Sequence, residues 1–494
     1  MIRRLVLSAL AMLMAVGSSA QNEWKEIELT NEERAMVKQN NDFAFNLFRQ
    51  VTMKYGIVGH GGCMPPDGFD ITAPYKSQII SPLSITFALG MLNNGAAGNT
   101  LQEINQVLGF GSTGANGINA FCHKMLTEGT SLDEQTKVNI ANTIFFNQSL
   151  GFQPKGSFVE KANTYYDAEL DLRDFRDGET LDVINQWASD HTEGMIQNIL
   201  DKQTFNPEAL SYLLNAIYFN GVWTLKFDPE ETKEETFYLE NSQQSCSVEM
   251  MHLENELPYT ETEDYQALCL PYGNTSYMMT ILLPRDGKTV EDLLWELKAD
   301  PDETETYRSR LLTSNRWEQL QWMGNAIVDV KLPRFEVETD VNLKPIMALL
   351  GMPTAFNWQK AEFPDICEPE DSFFIELMKQ KAKIKVSEEG TEASAVTIIG
   401  MAASSMGPTE IPHKEFHANR PFLYVISERS SGAIFFIGQY MGKEATSLSP
   451  TFSRQPTSAS DSIYNLQGQR QHSLGKGLHI IRQSDGTSKK MIVK

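Results

Sequence analysis

The chain carries few groups placed to do chemistry of their own. Gly59-His60-Gly61-Gly62-Cys63 has the small-residue character of an oxyanion loop. No Gly-x-Ser-x-Gly elbow accompanies it to supply a nucleophile, so an insertion is the better reading. His-Glu-x-x-His is absent and the eight histidines are dispersed, which gives no outline of a catalytic zinc centre. The five cysteines, Cys63, Cys122, Cys246, Cys269 and Cys367, are odd in number and form no Cys-x-x-Cys pair. That pattern suits neither a disulfide framework nor a zinc site, and most are expected to be buried small hydrophobes, with one disulfide left open. The expectation is a protein with no catalytic residue, no metal and no cofactor.

One stretch is restricted in a way that chemistry on another molecule would demand. Glu388-Glu389-Gly390-Thr391-Glu392-Ala393-Ser394-Ala395-Val396-Thr397 runs from an acidic start through a glycine into small residues. A solvent loop needs no such restriction. A segment that must slide between two paired strands does, because there is little room for bulk. Read as a strand, Thr391, Ala393, Ala395, Thr397, Ile399, Met401 and Ala403 share one face, and all are small or apolar. Glu392, Ser394, Val396, Ile398 and Gly400 take the other face, which leaves the Glu392 carboxylate on the side that stays in water. Gly390 supplies backbone freedom at the pivot. On the residues alone, an edge strand or a flexible loop fits this stretch too.

The surrounding pattern supplies the elements that would position it. Phe43, Leu47, Phe48 and Val51 fall on one face of a helix expected over 41–55. A Gly- and Pro-rich loop follows from Tyr55 to Lys76. Ser81-Pro82 is a strong helix start, a hydroxyl cap followed by proline at the first helical position, with the stop at Gly95. Thr100 and Glu103 have capping-box spacing and predict a short helix ending at Gly109. Tyr212 to Phe219 is nearly continuously apolar, as in a strand buried on both faces. Further strands are expected at 277–283, around Val328, Val330 and Leu332, and at 433–437. Helices early and strands late argue for an α+β fold.

Bulk properties bound the rest. The 494 residues are 41% hydrophobic and 21% charged, enough for one sizeable core. A formal charge of −22 repels phosphate and excludes nucleic acid as a partner. Residues 1–20 read as a signal peptide: Arg3 and Arg4, an apolar run from Leu5 to Val16, then Ser18-Ser19-Ala20. That run is short of the ~20 residues a bilayer span needs, and no membrane span is expected elsewhere. The main domain is expected over 21–445. A Ser/Thr/Pro-rich linker follows over 446–461, and a small β-rich tail, broken by glycines, over 462–494.

Taken in order, NDFAFNLF (41–48), ISPLSITFALGMLNNGAAGNTLQEINQVLGF (80–110), INQWASDHTEGMIQNIL (184–200), LLNAIYFNGVW (213–223), VKLPRFEVE (330–338), EEGTEASAVT (388–397) and FHANRPFLYVI (416–426) resemble the serpin family. The resemblance implies helices around a large mixed main sheet with smaller sheets, and an exposed reactive-centre loop. The 184–200 match implies the helix that lies over that sheet. It also implies a suicide inhibitor that traps a serine protease, or more remotely a cysteine protease, by inserting its cleaved loop. Family spacing places the cut bond at Ser404-Ser405, with Met401-Ala402, Ala403-Ser404 and Met406-Gly407 as neighbouring candidates. No Lys or Arg occurs between Val386 and His413, so an elastase-like, subtilisin-like or chymotrypsin-like target is implied over a trypsin-like one. Ser81, Ser84 and Asn215 match the cluster where the sheet parts, Gln380 stands where a histidine is usual, and Trp223 matches the tryptophan below the loop's insertion point. Met195 replaces a usual lysine. A monomer is implied. The alternative within the family is a non-inhibitory carrier or chaperone. The tail, from YNLQGQR (464–470) to MIVK, resembles a type IX secretion sorting signal, with His479 where an aromatic is common. Together with the leader, it implies a secreted product, extracellular or attached to the cell surface.

Overall fold

The computed structural model describes residues 24–53, 75–111, 113–240, 244–294, 313–369, 373–391 and 411–442, with short strands at 296–298, 307–309, 462–464, 470–471, 477–482 and 488–493. The expected leader, most of the 55–76 loop, the 446–461 linker and the 392–410 stretch that holds Ser404 and Ser405 lie outside the described residues.

Local sequence explains where the helices start and stop. Helix α1 (Asn31–Val51) begins at Asn31 rather than Asn41, because Thr30 and Glu33 form a capping box. The Thr30 hydroxyl accepts from the Glu33 N–H at 3.2 Å and the Glu33 carboxylate accepts from the Thr30 N–H at 2.8 Å. Helix α2 (Pro82–Asn93) is capped by Ser81 as expected and is buried along its whole length. Helix α3 (Gly98–Leu108) starts after Ala97 and ends at left-handed Gly109. The expected Thr100/Glu103 box does not form. The Glu362 carboxylate takes the Asn99 N–H at 2.6 Å, Thr100 receives the Glu362 N–H at 3.0 Å, and Glu103 turns to Thr354. A distant segment therefore does the capping that local spacing suggested. Helix α4 (Thr180–His191) stops well before Leu200, since Glu193 and Gly194 both take positive φ.

Two sheets carry the fold. The main one contains β1 (Thr136–Asn147), β2 (Glu169–Arg173), β3 (Ser211–Val222), β4 (Phe335–Asn342), β5 (Leu377–Ser387) and β6 (Gly390–Thr391), in the order β4-β5-β6-β3-β1-β2. The second sheet has nine strands among the described residues, including Tyr265–Tyr272, Tyr277–Pro284, Gly324–Pro333 and Ile434–Tyr440. The last three correspond to the expected later strands, with Ala326, Val328, Val330 and Leu332 buried along one face of Gly324–Pro333; Tyr265–Tyr272, buried throughout, is an additional strand. The larger core fills the space around α1, α2 and the second sheet. A second core lies under α4, where Ile184, Trp187 and Ala188 pack on Ala141, Phe145 and Ala216 of β1 and β3. Strand β3 is thus covered on both faces, as its unbroken apolar run requires.

Residues 444–494 make a separate unit. Its described strands form a four-stranded antiparallel sheet in the order 470–471, 462–464, 477–482, 488–493.

Candidate functional site

Strands β3 and β5 run parallel, pairing Leu377 with Tyr212 through Ala382 with Ile217. Beyond that point a third strand separates them. The chain leaves β5, turns at Ser387–Gly390, and sends Gly390 and Thr391 back as β6, antiparallel to both neighbours. Thr391 pairs with Val386 and with Gly221, and Gly390 with Ser387 and with Val222. Gly390 and Thr391, the glycine of the restricted stretch and its first small residue, therefore already sit in the mouth of a cleft between β3 and β5.

The turn is held on all sides. The Trp223 indole N–H donates to the Ser387 carbonyl at 2.9 Å. The backbone N–H groups of Trp223 and Phe227 donate to the carbonyls of Glu389 and Glu388. Trp223 stacks on Tyr272 with centroids 4.3 Å apart. The Glu388 carboxylate, almost fully buried, receives Arg334 Nε at 3.1 Å, Arg334 Nη2 at 2.5 Å and the Thr232 hydroxyl at 2.6 Å. Burial alone would raise this carboxyl. The Arg334 guanidinium and the Thr232 hydroxyl outweigh it and hold the group below the ordinary carboxylate value. Glu389 pairs with Lys226 at 2.5 Å. Gly390 has φ +145°, and a Cβ there would lie 2.1 Å from the Gly221 carbonyl oxygen, so only glycine fits the pivot. Thr391 is fully buried, with its hydroxyl 2.7 Å from the Tyr272 hydroxyl.

Lower in the cleft, Ser81, Ser84, Asn215 and Gln380 come together as the sequence implied. The Gln380 amide oxygen accepts from the Ser81 N–H at 3.0 Å. Its amide nitrogen faces the Ser81 carbonyl at 3.0 Å, Ser84 Oγ at 2.9 Å and Asn215 Oδ1 at 2.8 Å. Ser84 Oγ donates to Asn215 Oδ1 at 2.7 Å, and the Asn215 amide donates to Asn142 Oδ1 at 2.9 Å. The glutamine amide thus joins α2, β5 and β3, and its bond to Asn215 spans the cleft. All four residues are buried, so each polar atom depends on these partners.

The two borders of β5 differ in kind. Toward β4 a ladder of ion pairs stitches the strands: Lys379 to Asp340 at 3.0 Å, Lys381 to Glu338 at 2.8 Å and Lys383 to Glu336 at 2.7 Å. Toward β3 the side-chain ties among the described residues include the uncharged cluster, the Trp223 indole on the Ser387 carbonyl, the Leu210 N–H on the Glu376 carboxylate at 3.0 Å and the Lys381 ammonium on the Asn198 carbonyl at 2.9 Å.

Of the residues singled out from sequence, Glu388, Glu389, Gly390, Thr391, Trp223 and the four-residue cluster are placed together. Glu392 to Thr397, Ser404 and Ser405 lie outside the described residues. Tyr272, Arg334, Thr232, Lys226 and Asn142 were not singled out, and no local signal marks them. Cys122, Cys269 and Cys367 are buried free thiols and Cys246 is half-buried and free. Burial pushes the Cys269 thiol up to about 12.

The sequence profile described as "Serpin (serine protease inhibitor)" matches residues 38–442. The chain belongs to the serpin family. It is 31% identical to antithrombin-III of Homo sapiens over 368 residues, covering 73% of this chain and 75% of that one. It is 32% identical to Homo sapiens serpin B3, covering 73% of this chain and 92% of that one. Among solved structures, the native state of the thermophilic serpin tengpin superposes with a TM-score of 0.66 at 27% identity, over 85% of this chain and 96% of that one. The helices, the large mixed sheet and the smaller strand groups are those of the serpin fold, and the family consists mostly of protease inhibitors. No helix among the described residues is long and apolar enough to cross a membrane.

Proposed function

We propose that this serpin is a secreted suicide inhibitor of a serine protease of the elastase-like or subtilisin-like kind, acting as a monomer. The observation that carries the reading is the placement of Gly390 and Thr391 between β5 and β3 as the start of a strand antiparallel to both. Continuing that register toward the C-terminus brings Thr397 opposite both Gln380 and Asn215, at the polar cluster that closes the cleft. The small residues Ala393 and Ala395 would share the buried face of Thr391.

In this mechanism the protease's own serine attacks the bait carbonyl. The peptide bond breaks, the new amine end departs with the C-terminal part of the inhibitor, and an ester joins the loop to the enzyme. Freed from its second anchor, the loop zips down from the seated hinge, and each residue that enters gains main-chain partners on two sides. Strand insertion into a serpin sheet is a recognised mode of β-addition. The tethered enzyme is carried along before water can cleave the ester. The absence of Lys and Arg from 387–412 leaves a basic-specific pocket without its ligand, and the small and unbranched residues over 401–406 suit a shallow apolar one. The bait bond is Ser404-Ser405 or a neighbour between Met401 and Gly407. A leader over residues 1–20 and a sorting tail over 462–494, joined by the 446–461 linker, would take the protein through the type IX route to the exterior.

The test mixes the purified protein with a small panel of serine proteases. The expected result is a complex with an elastase-like enzyme that survives boiling in detergent, with a released peptide whose mass fixes the bond. Thr391→Arg, which cannot be buried beside Tyr272, should be cleaved as a substrate and trap nothing. Equal trapping by this variant would overturn insertion. No rise in melting temperature after loop cleavage would point to a carrier or chaperone.

A further inference from the structure

The phenol of Tyr272 stands in a place the loop itself must fill. Tyr272 lies on the second sheet, at the end of the strand Tyr265–Tyr272, and is fully buried. Its ring cannot swing. It is stacked on Trp223 at 4.3 Å with an interplanar angle of 14°, met edge-on by Phe219 at 5.0 Å, and packed where Gly221 leaves no Cβ: one there would be 2.8 Å from the ring. The hydroxyl is thereby aimed at a fixed point in the mouth of the cleft. The partner at that point is the Thr391 hydroxyl at 2.7 Å. Thr391 is itself fully buried and has main-chain partners on both neighbouring strands. A buried phenol with its partner withdrawn would be left unsatisfied, which favours the seated hinge.

We infer that Tyr272 is a positioning residue for loop insertion: its hydroxyl holds Thr391 as the first residue of the incoming strand before any bond is cut. This rests on the insertion reading above. A seated first residue removes the nucleation step, so that after cleavage the strand only has to propagate. Insertion competes with hydrolysis of the acyl-enzyme, and the head start shifts that competition toward trapping. Tyr272 touches neither the protease nor the bait bond and acts through Thr391 alone.

Tyr272→Phe keeps the stacked ring and removes the one oxygen. Two readouts apply to the full-length protein. In the uncleaved protein, hydrogen exchange at residues 387–391 should rise about tenfold, the effect of one lost buried hydrogen bond on local opening, with the global melting temperature close to wild type. Against an elastase-like protease, the number of inhibitor molecules consumed per enzyme trapped should rise several-fold, while the rate of loop cleavage does not fall. Thr391→Val should reproduce both effects, and also serves if Tyr272→Phe does not fold. The double variant should be no worse than either single one. Unchanged exchange at 387–391 in both single variants, or additive effects in the double, would overturn the assignment. Should the wild type trap no protease at all, the inhibitor reading fails, and the exchange measurement still decides whether Tyr272 seats the hinge.

Discussion

Removing the Gln380 amide should loosen the closed sheet measurably. In Gln380→Ala the Ser81 N–H loses its acceptor. The Ser81 carbonyl, Ser84 Oγ and Asn215 Oδ1 lose a donor but keep one another. One stranded buried N–H costs ~1–3 kcal/mol, and the broken bond to Asn215 adds ~1 kcal/mol. The sum, ~2–4 kcal/mol, destabilises the closed form. At ~2 cal/mol/K of unfolding entropy per residue, a domain of ~400 residues should lose roughly 2–5 °C from its melting temperature. Part of the loss falls on the cleft itself. If ~1.4 kcal/mol of it lowers the barrier to parting β3 from β5, spontaneous conversion to an inactive inserted form should run ~10-fold faster. The assay is incubation below the melting transition, with residual trapping capacity and native electrophoretic form followed in time. Gln380→His is the informative companion. A neutral imidazole offers one acceptor and one donor, whereas an imidazolium offers only donors and cannot take the Ser81 N–H. It should therefore match wild type near pH 8 and resemble Gln380→Ala near pH 5.5, while the wild-type amide shows no such dependence. Melting within ~1 °C of wild type together with unchanged conversion would refute the view that this cluster keeps the cleft shut.

Gly390→Ala should unseat the hinge, because its Cβ would meet backbone atoms of Gly221, Val222 and Trp223 at 2.1, 2.8 and 2.9 Å; loss of exchange protection at 387–391 and more substrate-like turnover would show it. The Glu388 carboxyl is held below its ordinary value of 4.5, so its contribution is complete above that value and is lost as pH falls through the lowered folded value; protection of the turn should therefore weaken in acid, and Glu388→Gln should be loose at every pH. His252 behaves in the opposite sense. Its ring joins Glu231 at 2.6 Å to Asp329 at 2.9 Å, and chiefly Glu231 raises its pKa above 6.5. The stability it adds is full below that value and is lost as pH rises through the raised folded value, so exchange around 229–232 should increase from neutral toward alkaline pH in wild type and not in His252→Asn.

What the sequence revealed and what it hid follow the range of the interactions involved. The Ser81-Pro82 cap and the Gly109 stop are short-range devices and were legible. The Thr30–Glu33 box is equally local, yet the apolar face of Phe43, Leu47, Phe48 and Val51 points to a start at Asn41, ten residues after the true one. Thr100 and Glu103 show the reverse error: the spacing is right for a box, but the Glu362 carboxylate reaches the same helix end and displaces it. The restricted stretch stands out in the sequence because burial between strands forbids bulk, and of its small residues the structure describes Gly390 and Thr391, both buried between β5 and β3. Its partners do not stand out. Arg334, Tyr272 and Lys226 lie 54, 119 and 163 residues from the hinge residues they hold, and a tyrosine in an apolar strand looks like core until the turn is seen against it. Asn142 is hidden in the same way, as one of several buried polar residues in its strand, beside Thr143 and Asn147.

The two borders of β5 explain why an incoming strand would part the sheet on the β3 side of β5 rather than on its β4 side. Ion pairs open to solvent on the carboxylate side, as these are, contribute modestly singly, ~0.2–1 kcal/mol for exposed pairs, but three in succession along β4 and β5 must all break together if those strands separate. The β3 border has no such ladder among the described residues. Its pairing is parallel and covers Leu377–Ala382, the slightly weaker of the two ladder types. A strand arriving through the mouth already occupied by Thr391 replaces that parallel border with two antiparallel ones. Every residue that enters breaks at most one set of main-chain contacts and makes two. In the proposed mechanism the closed sheet therefore lies uphill of the inserted one, along a path that starts from the seated Gly390 and Thr391. Two things then delay the rest: the loop's tether at its far end, which cleavage removes, and the Gln380–Asn215 bond, which an arriving threonine hydroxyl can replace.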